Sequence, residues 1–346
     1  LPPGAQASIS WTGFQDAVCG LPVPAKTWQV TMPAPPCAPG VDGVVGPTMT
    51  RIPFNYLGSS TFGEYYTAVD DDPNGWVYVG NSSNLFRMPK KGGRPESLYN
   101  TGGIGYKQVG LRMMIDGPNL YTLRSATSGT SERFWRLSND KGATFEAVDA
   151  VVWPTDPGKV AGTSASSIGG IAARDGRVYF ITEAAENKTE VWSADVTGEL
   201  PATAAVEFTF ANIATYQWCT DLALDDRYFY STCRKGSSSS SPRRIVRIDR
   251  TTHAVTDLVT AWDTGTYNSP LFASDTNGDG IADVLYHRGD ERYSTYVCQP
   301  ASDHPYIDEH FNFAVNSGVT NGMGFDPVEN ALWVFDRSTN EFIKVK

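Results

Sequence analysis

The stretch Tyr65-Tyr-Thr-Ala-Val-Asp70, followed after a short turn by Trp76-Val-Tyr-Val79, decides the fold of this chain. An apolar run that ends in aspartate, before a second run rich in aromatic and β-branched residues, is typical of two strands joined as a hairpin. The same pattern occurs five more times, at 111–116 with 120–123, 170–175 with 178–181, 221–225 with 228–230, 271–275 with 284–286, and 323–326 with 332–335. Repeated copies of one hairpin indicate a repeat architecture.

Each copy ends its first run on a marker aspartate, and these recur about every 50 residues: Asp70, Asp116, Asp175, Asp225, Asp275 and Asp326. This period fits a four-stranded propeller blade and is too long for the units of a helical solenoid. Candidates for a third strand follow at 84–88, 134–137, 190–193, 244–248 and 294–297, and candidates for a fourth at 207–210 and 311–314. The sequence therefore predicts an all-β chain folded as a six-bladed β-propeller.

The last copy ends after its third strand, at 341–345, so its outer strand has to come from elsewhere. Arg51-Ile-Pro-Phe-Asn-Tyr56 predicts that strand, because Phe54-Asn-Tyr56 resembles the Phe311-Asn-Phe313 that precedes the sixth copy. Closing the ring with strands from both termini removes an open sheet edge. We expect the propeller at 49–346 and an irregular, Pro-rich extension at 1–48, with a seventh blade from Trp11 to Met32 as the alternative.

Composition narrows the class of partner. The formal charge of −10 and the pI near 4.9 disfavour nucleic acid, because an acidic chain repels phosphate. No apolar run has the length needed to span a bilayer. The chain begins at Leu1 rather than Met, as expected after removal of a signal peptide. These features predict a secreted, extracellular or cell-surface protein, or a periplasmic one in a bacterium.

Five cysteines are present without a CxxC pair or zinc-like spacing, so disulfides are their expected use. Cys219 and Cys233 flank a predicted hairpin and should face each other across neighbouring strands. Cys19 and Cys37 enclose the Pro-rich segment and are expected to pair. Cys298 then remains as a free, buried thiol.

One turn carries a metal-binding pattern, Asp275-Thr-Asn277-Gly-Asp279-Gly-Ile281-Ala-Asp283. Oxygen side chains at alternate positions, a glycine for the sharp bend, the Ile281 carbonyl and a closing carboxylate suit a hard cation. The stretch resembles the calcium loop of FG-GAP repeats, the propeller blades of integrin α-chains. That resemblance implies a calcium ion that stabilises blade 5, and the other five turns lack the motif.

Polar residues precede or begin the innermost strands, whose first residues surround the tunnel of a propeller, where ligands commonly bind. The predicted ligand contacts are Tyr65, Gln108, Arg112, Gln217 and Trp218. Such side chains suit a polar ligand such as a sugar. The leading hypothesis is a calcium-binding module that recognises a glycan or a protein.

The alternative hypothesis is a hydrolase. Its candidate catalytic residues form a mixture that is similar to the central metal site of gluconolactonase and paraoxonase-like propellers: Glu64, Asp221, Asn268 and Asn321. That resemblance implies a calcium ion that polarises a lactone or ester oxygen. The order of these residues around the ring differs from that of the family.

A sialidase is the less favoured enzyme. Ser138-Asn-Asp140-Lys-Gly142-Ala-Thr144-Phe145 resembles the Asp-box of sialidases, and Arg51-Ile-Pro53 is similar to the arginine motif near their start. An Asp-box is a structural turn between strands and performs no chemistry. The remaining arginines of a carboxylate clamp and a Tyr/Glu nucleophile pair cannot be assigned.

Overall fold

The computed structural model describes most of the strands and their tight turns. The described residues are 6–11, 26–31, 49–54, 66–80, 84–100, 109–124, 133–152, 168–182, 189–210, 217–234, 243–262, 271–275, 277–288, 293–298, 300–303, 305–312, 323–336 and 339–345.

The chain divides into two compact units, Leu1–Thr48 and Met49–Lys346. In the first unit, β1 (Gln6–Trp11) and β2 (Lys26–Thr31) pair as an antiparallel hairpin. The described part of this unit is therefore two-stranded, and the alternative of a seventh blade from Trp11 to Met32 stays a prediction.

The described part of the second unit forms six four-stranded sheets. Its first strand along the chain, β3 (Met49–Pro53), belongs to the sixth sheet. Blade 1 contains β4 (Tyr66–Val69), β5 (Trp76–Gly80), β6 (Asn84–Pro89) and β7 (Glu96–Asn100). Blade 2 contains β8 (Val109–Asp116), β9 (Asn119–Arg124), β10 (Arg133–Ser138) and β11 (Val148–Asp149), and the short β12 (Val151–Val152) follows it. Blade 3 contains β13 (Ile168–Arg174), β14 (Arg177–Thr182), β15 (Glu190–Asp195) and β17 (Ala205–Thr209), with β16 (Ala202–Thr203) inserted before its last strand.

The remaining blades follow the same order. Blade 4 contains β18 (Gln217–Leu224), β19 (Tyr228–Arg234), β20 (Arg243–Asp249) and β21 (Val255–Trp262). Blade 5 contains β22 (Leu271–Ser274), β23 (Val284–Arg288), β24 (Tyr293–Cys298) and β25 (Tyr306–Asn312). Blade 6 contains β26 (Met323–Asp326), β27 (Ala331–Asp336) and β28 (Glu341–Val345), completed by β3.

The predicted architecture is confirmed. Each blade is an antiparallel meander that runs outwards from its first strand, and every predicted third strand lies in its blade. Blade 6 is closed by β3, which pairs with β28 from Glu341↔Pro53 to Val345↔Met49. Arg51 Nη1 adds an ion pair to Glu341 Oε2 at 2.9 Å. No helix with the length and apolar character of a membrane span occurs among the described residues.

Apolar side chains fill the spaces between neighbouring blades. Between blades 6 and 1, Phe54 is 2% exposed and its ring makes edge-to-face contacts with Phe86, Phe335 and Phe342 at centroid distances of 6.0, 5.5 and 5.7 Å. Between blades 2 and 3, Phe134 packs against Phe180 in the same manner. Because each sheet buries both faces against its neighbours, the ring is a closed series of apolar interfaces.

Polar contacts also fasten each blade to the next at the turn end, the end of the innermost strands marked by the six aspartates of the repeat. Asp70 binds Lys141 of blade 2, Asp116 accepts the amides of Asp175 and Gly176 of blade 3, and Arg174 pairs with Asp226 of blade 4. The other three contacts complete the ring: Asp225 with the Ala282 amide, Ser274 with Asn330, and Asp326 with Lys90. Four of the six repeat aspartates, Asp70, Asp116, Asp225 and Asp326, therefore hold neighbouring blades together.

Candidate functional site

The innermost strands differ at the mouth end, where they begin. In blades 2, 3 and 4 these strands contain 8, 7 and 8 residues and carry register shifts against their partners. In blades 5, 6 and 1 they contain 4 residues each and pair in unbroken register. Among the described residues, bulges therefore occur in three neighbouring innermost strands, those of blades 2, 3 and 4.

The register shows where the extra residues lie. On β8, Gly110 and Met113 face consecutive residues of β9, so Leu111 and Arg112 are extra. On β13, Gly169 is extra, between Ile168 and Gly170. A bulge takes residues out of the ladder, bends the strand and re-aims side chains, and bulges are over-represented next to active sites.

The third bulge lies in blade 4. Gln217 pairs with Arg234 and Asp221 pairs with Thr232, which leaves 218–220 opposite Cys233 alone. The predicted contacts Gln217 and Trp218 lie at the edge of this bulge and within it, as Arg112 lies within the bulge of blade 2. Tyr65 and Gln108 lie outside the described residues. Sequence patterns missed the bulges, because an extra residue becomes visible only when the partner strand and its register are known.

A disulfide fixes the bulge of blade 4. Cys219, inside the bulge, bonds to Cys233 on β19, and both residues are fully buried. The predicted pairing is confirmed. The prediction of a free thiol at Cys298 is wrong, because Cys298 is disulfide-bonded. The bridge predicted between Cys19 and Cys37 went together with an unpaired Cys298. Cys19 and Cys37 lie outside the described residues, and their pairing stays a prediction.

Of the four candidate catalytic residues, the described part of the chain includes Asp221. This residue is 2% exposed, and its Oδ1 accepts the amide of Leu222 at 2.9 Å. A Cβ on Gly170 would come within 2.5 Å of the Asp221 backbone, so the innermost strands of blades 3 and 4 approach closely at this point. Glu64, Asn268 and Asn321 lie outside the described residues, and a catalytic quartet stays a prediction.

The predicted calcium loop of blade 5 is a tight turn organised around Asp275. Its Oδ1 accepts the amides of Asn277 at 3.2 Å and Gly278 at 2.7 Å, and its Oδ2 accepts that of Gly280 at 2.7 Å. Burial alone would raise the pKa of Asp275, but the backbone amides that donate to it outweigh burial and lower that pKa. The turn is thus shaped by its own amides.

The other predicted ligands lie on the rim of this loop. The Asn277 and Asp279 side chains are exposed, and each accepts one amide through Oδ1, from Asp279 and Ile281 respectively. Asp283 accepts the Asn277 side-chain amide at 3.3 Å. The donor types suit calcium, but no group of three His, Cys, Asp or Glu side chains in the described ranges is gathered closely enough to hold a metal ion.

The same loop docks on blade 4. The Ala282 amide donates to Asp225 Oδ2 at 3.0 Å, and the Asp226 amide donates to the Gly280 carbonyl at 2.9 Å. Asp225 also accepts the Tyr230 hydroxyl and is 1% exposed. These bonds give the loop a structural role at an interface between blades.

The Asp-box segment is a turn between β10 and β11. Ser138 Oγ donates to Asp140 Oδ1 and accepts the amide of Gly142, while Asp140 also accepts the amide of Thr144. The Thr144 amide and the Ser138 hydroxyl lower the pKa of Asp140 to about 2. Arg51, the residue of the other sialidase-like motif, lies on the outermost strand of blade 6 in ion pairs with Glu341 and Asp336.

Known proteins of similar structure share the propeller fold. An auxiliary nutrient binding protein from Bacteroides thetaiotaomicron matches with a TM-score of 0.53 and 10% identity over 98% of this chain and 83% of its own. The PQQ-bound aldose sugar dehydrogenase from Streptomyces coelicolor matches at 0.51 with 12% identity, over 86% and 98%. A mutant of AofleA from Arthrobotrys oligospora matches at 0.52 with 9% identity, over 88% of each chain.

Sequence comparison gives a second finding. The family model DUF6923, described as a repeat of unknown function, matches residues 77–279, more than half of the chain. No curated protein matches the sequence.

Proposed function

The chain belongs to the DUF6923 repeat family, and on that premise we propose that it is a binding module that holds a glycan at the mouth end of blades 2–4. The observation that carries the proposal is the bulge at the start of β8, β13 and β18, in three successive blades. Adjacent bulges provide backbone groups outside the ladder in three neighbouring blades.

The residue types in these bulges fit a sugar. Arg112 offers a planar fork of donors, Gln217 offers an amide that donates and accepts, and Trp218 offers an aromatic face for an apolar sugar surface. The disulfide at Cys219 holds the segment around Trp218 in place before ligand arrives, which reduces the ordering cost of binding. The structural neighbour described as an auxiliary nutrient binding protein has the same fold and supports a binding role.

Calcium and an extracellular location complete the proposal. Asp275, Asn277, Asp279, the Ile281 carbonyl and Asp283 would hold calcium, which would add charge balance to a turn that already joins blades 4 and 5. Disulfides at Cys219–Cys233 and at Cys298 support an oxidising compartment, where they persist.

The test of the binding role uses an array of neutral and acidic oligosaccharides, followed by calorimetry on the sugars that bind. We expect Arg112→Ala and Trp218→Ala each to weaken binding by about tenfold or more, with unchanged melting temperatures. The matched controls are Asn268→Ala and Asn321→Ala, at the positions that precede the short strands β22 and β26. If these controls abolish sugar binding or turnover while Arg112→Ala does not, the binding proposal is wrong and the hydrolase alternative gains support.

The calcium proposal has its own measurement. A ligand that binds the native state must stabilise it, so EDTA should lower the melting temperature and added calcium should restore it. The double variant Asp279→Asn with Asp283→Asn keeps the oxygens that cap the loop but removes two charges, and it should melt at the same temperature with and without calcium. A wild-type melting temperature that is insensitive to EDTA contradicts calcium at this loop.

A further inference from the structure

The turn of blade 1 has the first half of the same cation-loop pattern. Asp70-Asp-Asp72-Pro-Asn74-Gly75 places oxygen side chains at the first, third and fifth positions and glycine at the sixth, as Asp275 to Gly280 does in blade 5. Both segments follow the innermost strand of their blade. The ninth position, an aspartate in blade 5, is Tyr78 in blade 1.

The two turns also share their internal geometry. The amide at the third position donates to the first carboxylate at 3.1 Å in blade 1 and 3.2 Å in blade 5. The amide at the fifth position donates to the third side chain at 2.8 Å in both. The backbone of blade 1 is therefore wound as the cation loop is.

The turns differ in how the first carboxylate is satisfied. In blade 5 the amides of Gly278 and Gly280 both donate to Asp275. In blade 1 the equivalent of Gly278 is Pro73, which has no N–H, and the Gly75 amide donates to the Asp72 carbonyl instead. Asp70 is fully buried, and its Oδ2, directed towards Gly75, has no hydrogen-bond partner.

A lysine from the next blade forms an ion pair with this carboxylate. Lys141 Nζ lies 2.7 Å from Asp70 Oδ1 and 3.4 Å from Asp71 Oδ1. The backbone of Lys141 is fixed, since its carbonyl accepts the Tyr78 hydroxyl at 2.7 Å and Arg87 Nη1 at 3.0 Å. On the solvent side, Lys91 Nζ donates to Asn74 Oδ1 at 2.7 Å.

We propose that the Asp70–Gly75 turn is a second cation loop, in which the Lys141 ammonium takes the place of a metal ion and clasps blade 1 to blade 2. Lys141 belongs to the Asp-box turn of blade 2, which places this ammonium beside Asp70. Without Lys141, the turn becomes a site for a divalent or trivalent hard cation, bound by Asp70, Asp72 and Asn74.

Two physical arguments support this assignment. A buried carboxylate that loses its cation is strongly unfavourable, so the turn has to recruit another cation or protonate. When Lys141 is removed, the carboxylate and amide oxygens of the turn are free to bind a metal ion, and hard cations prefer such oxygens.

The experiment uses the full chain with Asp279→Asn and Asp283→Asn in every protein, so that the loop of blade 5 does not contribute. Lys141→Met is expected to melt at a lower temperature than its parent in EDTA and to recover in millimolar calcium. It should also bind one terbium ion, whose luminescence is excited through the neighbouring Trp76 and falls in Lys141→Met with Trp76→Phe. Lys141→Gln, which keeps a hydrogen-bond donor, provides the same readout if Lys141→Met does not fold.

Two controls make the result specific. Adding Asp72→Asn to Lys141→Met keeps the acceptor for the Asn74 amide but removes a charge, and should weaken terbium binding about tenfold or more. Lys90→Met removes the ammonium that pairs with Asp326, and the turn after Asp326 lacks the cation-loop pattern. Calcium should therefore not restore the stability of the Lys90→Met variant. The proposal is overturned if Lys141→Met and Lys141→Gln bind no terbium, or if the parent binds a cation at this turn while Lys141 is present. Neither result depends on calcium in blade 5.

Discussion

The two ends of the innermost strands are built differently. At the turn end, every blade is fastened to the next by a polar contact near the repeat aspartate, and these contacts close a full ring. At the mouth end, β8, β13 and β18 begin with bulges, whereas the described residues of β4, β22 and β26 pair in unbroken register. Within the described residues, the polar contacts at the turn end recur around the whole ring, whereas the bulges at the mouth end occur in blades 2–4.

The contacts that stabilise the ring and the proposed ligand contacts therefore lie at opposite ends of the innermost strands. Four of the aspartates that define the repeat, Asp70, Asp116, Asp225 and Asp326, hold neighbouring blades together. The proposed ligand contacts are at positions where the copies depart from the repeat. Variants at the turn end should therefore lose stability and keep ligand binding, while variants at the mouth end should do the reverse.

The largest loss of stability is expected from breaking the clasp between blades 6 and 1. Lys90 and Asp326 are 1% and 0% exposed in their side chains, and Nζ lies 2.9 Å from Oδ2. Lys90→Met leaves a buried carboxylate without its cation and should reduce the free energy of unfolding by about 3–5 kcal/mol. Urea denaturation measures this loss, and Lys90→Met with Asp326→Asn should recover part of it. A single variant as stable as the wild type would show that the pair does not hold the ring.

A smaller loss is expected at the contact between blades 4 and 5. Gly280 has a φ of 87°, and a Cβ there would clash with Oδ2 of Asp226, whose Oδ1 is paired with Arg174. Gly280→Ala should cost about 2–3 kcal/mol, from backbone strain and the displaced carboxylate.

Gly278→Ala is the matched control for that variant, because its φ is 80° but no atom lies within 4 Å of the added Cβ. It carries the backbone strain alone, about 1–2 kcal/mol. Equal losses in thermal denaturation of the two variants would mean that the contact with Asp226 has no energetic role.

The smallest effect on stability concerns acid. Asp140 has its pKa lowered from 3.8 to about 2 by the Thr144 amide and the Ser138 hydroxyl. A carboxylate whose pKa is lower in the folded state contributes stability above its ordinary pKa and loses it as pH falls through the folded value. Melting temperature should therefore drop between pH 3.8 and about 2, and Asp140→Asn should flatten that drop. An unchanged pH profile in Asp140→Asn would show that this turn makes no contribution to stability in acid.

The sequence predicts the strands well because their signals are local. The apolar run, the marker aspartate and the second run lie within a few residues of one another, and the third strands follow at regular intervals. The closing strand was also predictable, since Phe54-Asn-Tyr56 resembles the segment before the sixth copy.

The contacts that carry the remaining structure are distant in sequence. Lys141 and Asp70 are separated by 71 positions, and nothing near either residue indicates the other. The bulges depend on register, and the state of Cys298 depends on pairing choices that five cysteines leave open. The residue types of the cation pattern are visible in the sequence. Whether backbone amides, an ammonium or a metal ion binds its first aspartate depends on Pro73 and on the neighbouring blade, which the pattern does not show.

The most direct test of the mouth-end site is hydrogen–deuterium exchange of the wild type, with and without a saturating oligosaccharide identified on the array. Ligand contact slows the exchange of the amides it covers. We expect added protection at the start of β8, β13 and β18, and none at the repeat aspartates or at the start of β22 and β26. Protection that appears at the turn end, or equally at the starts of all six innermost strands, would contradict it.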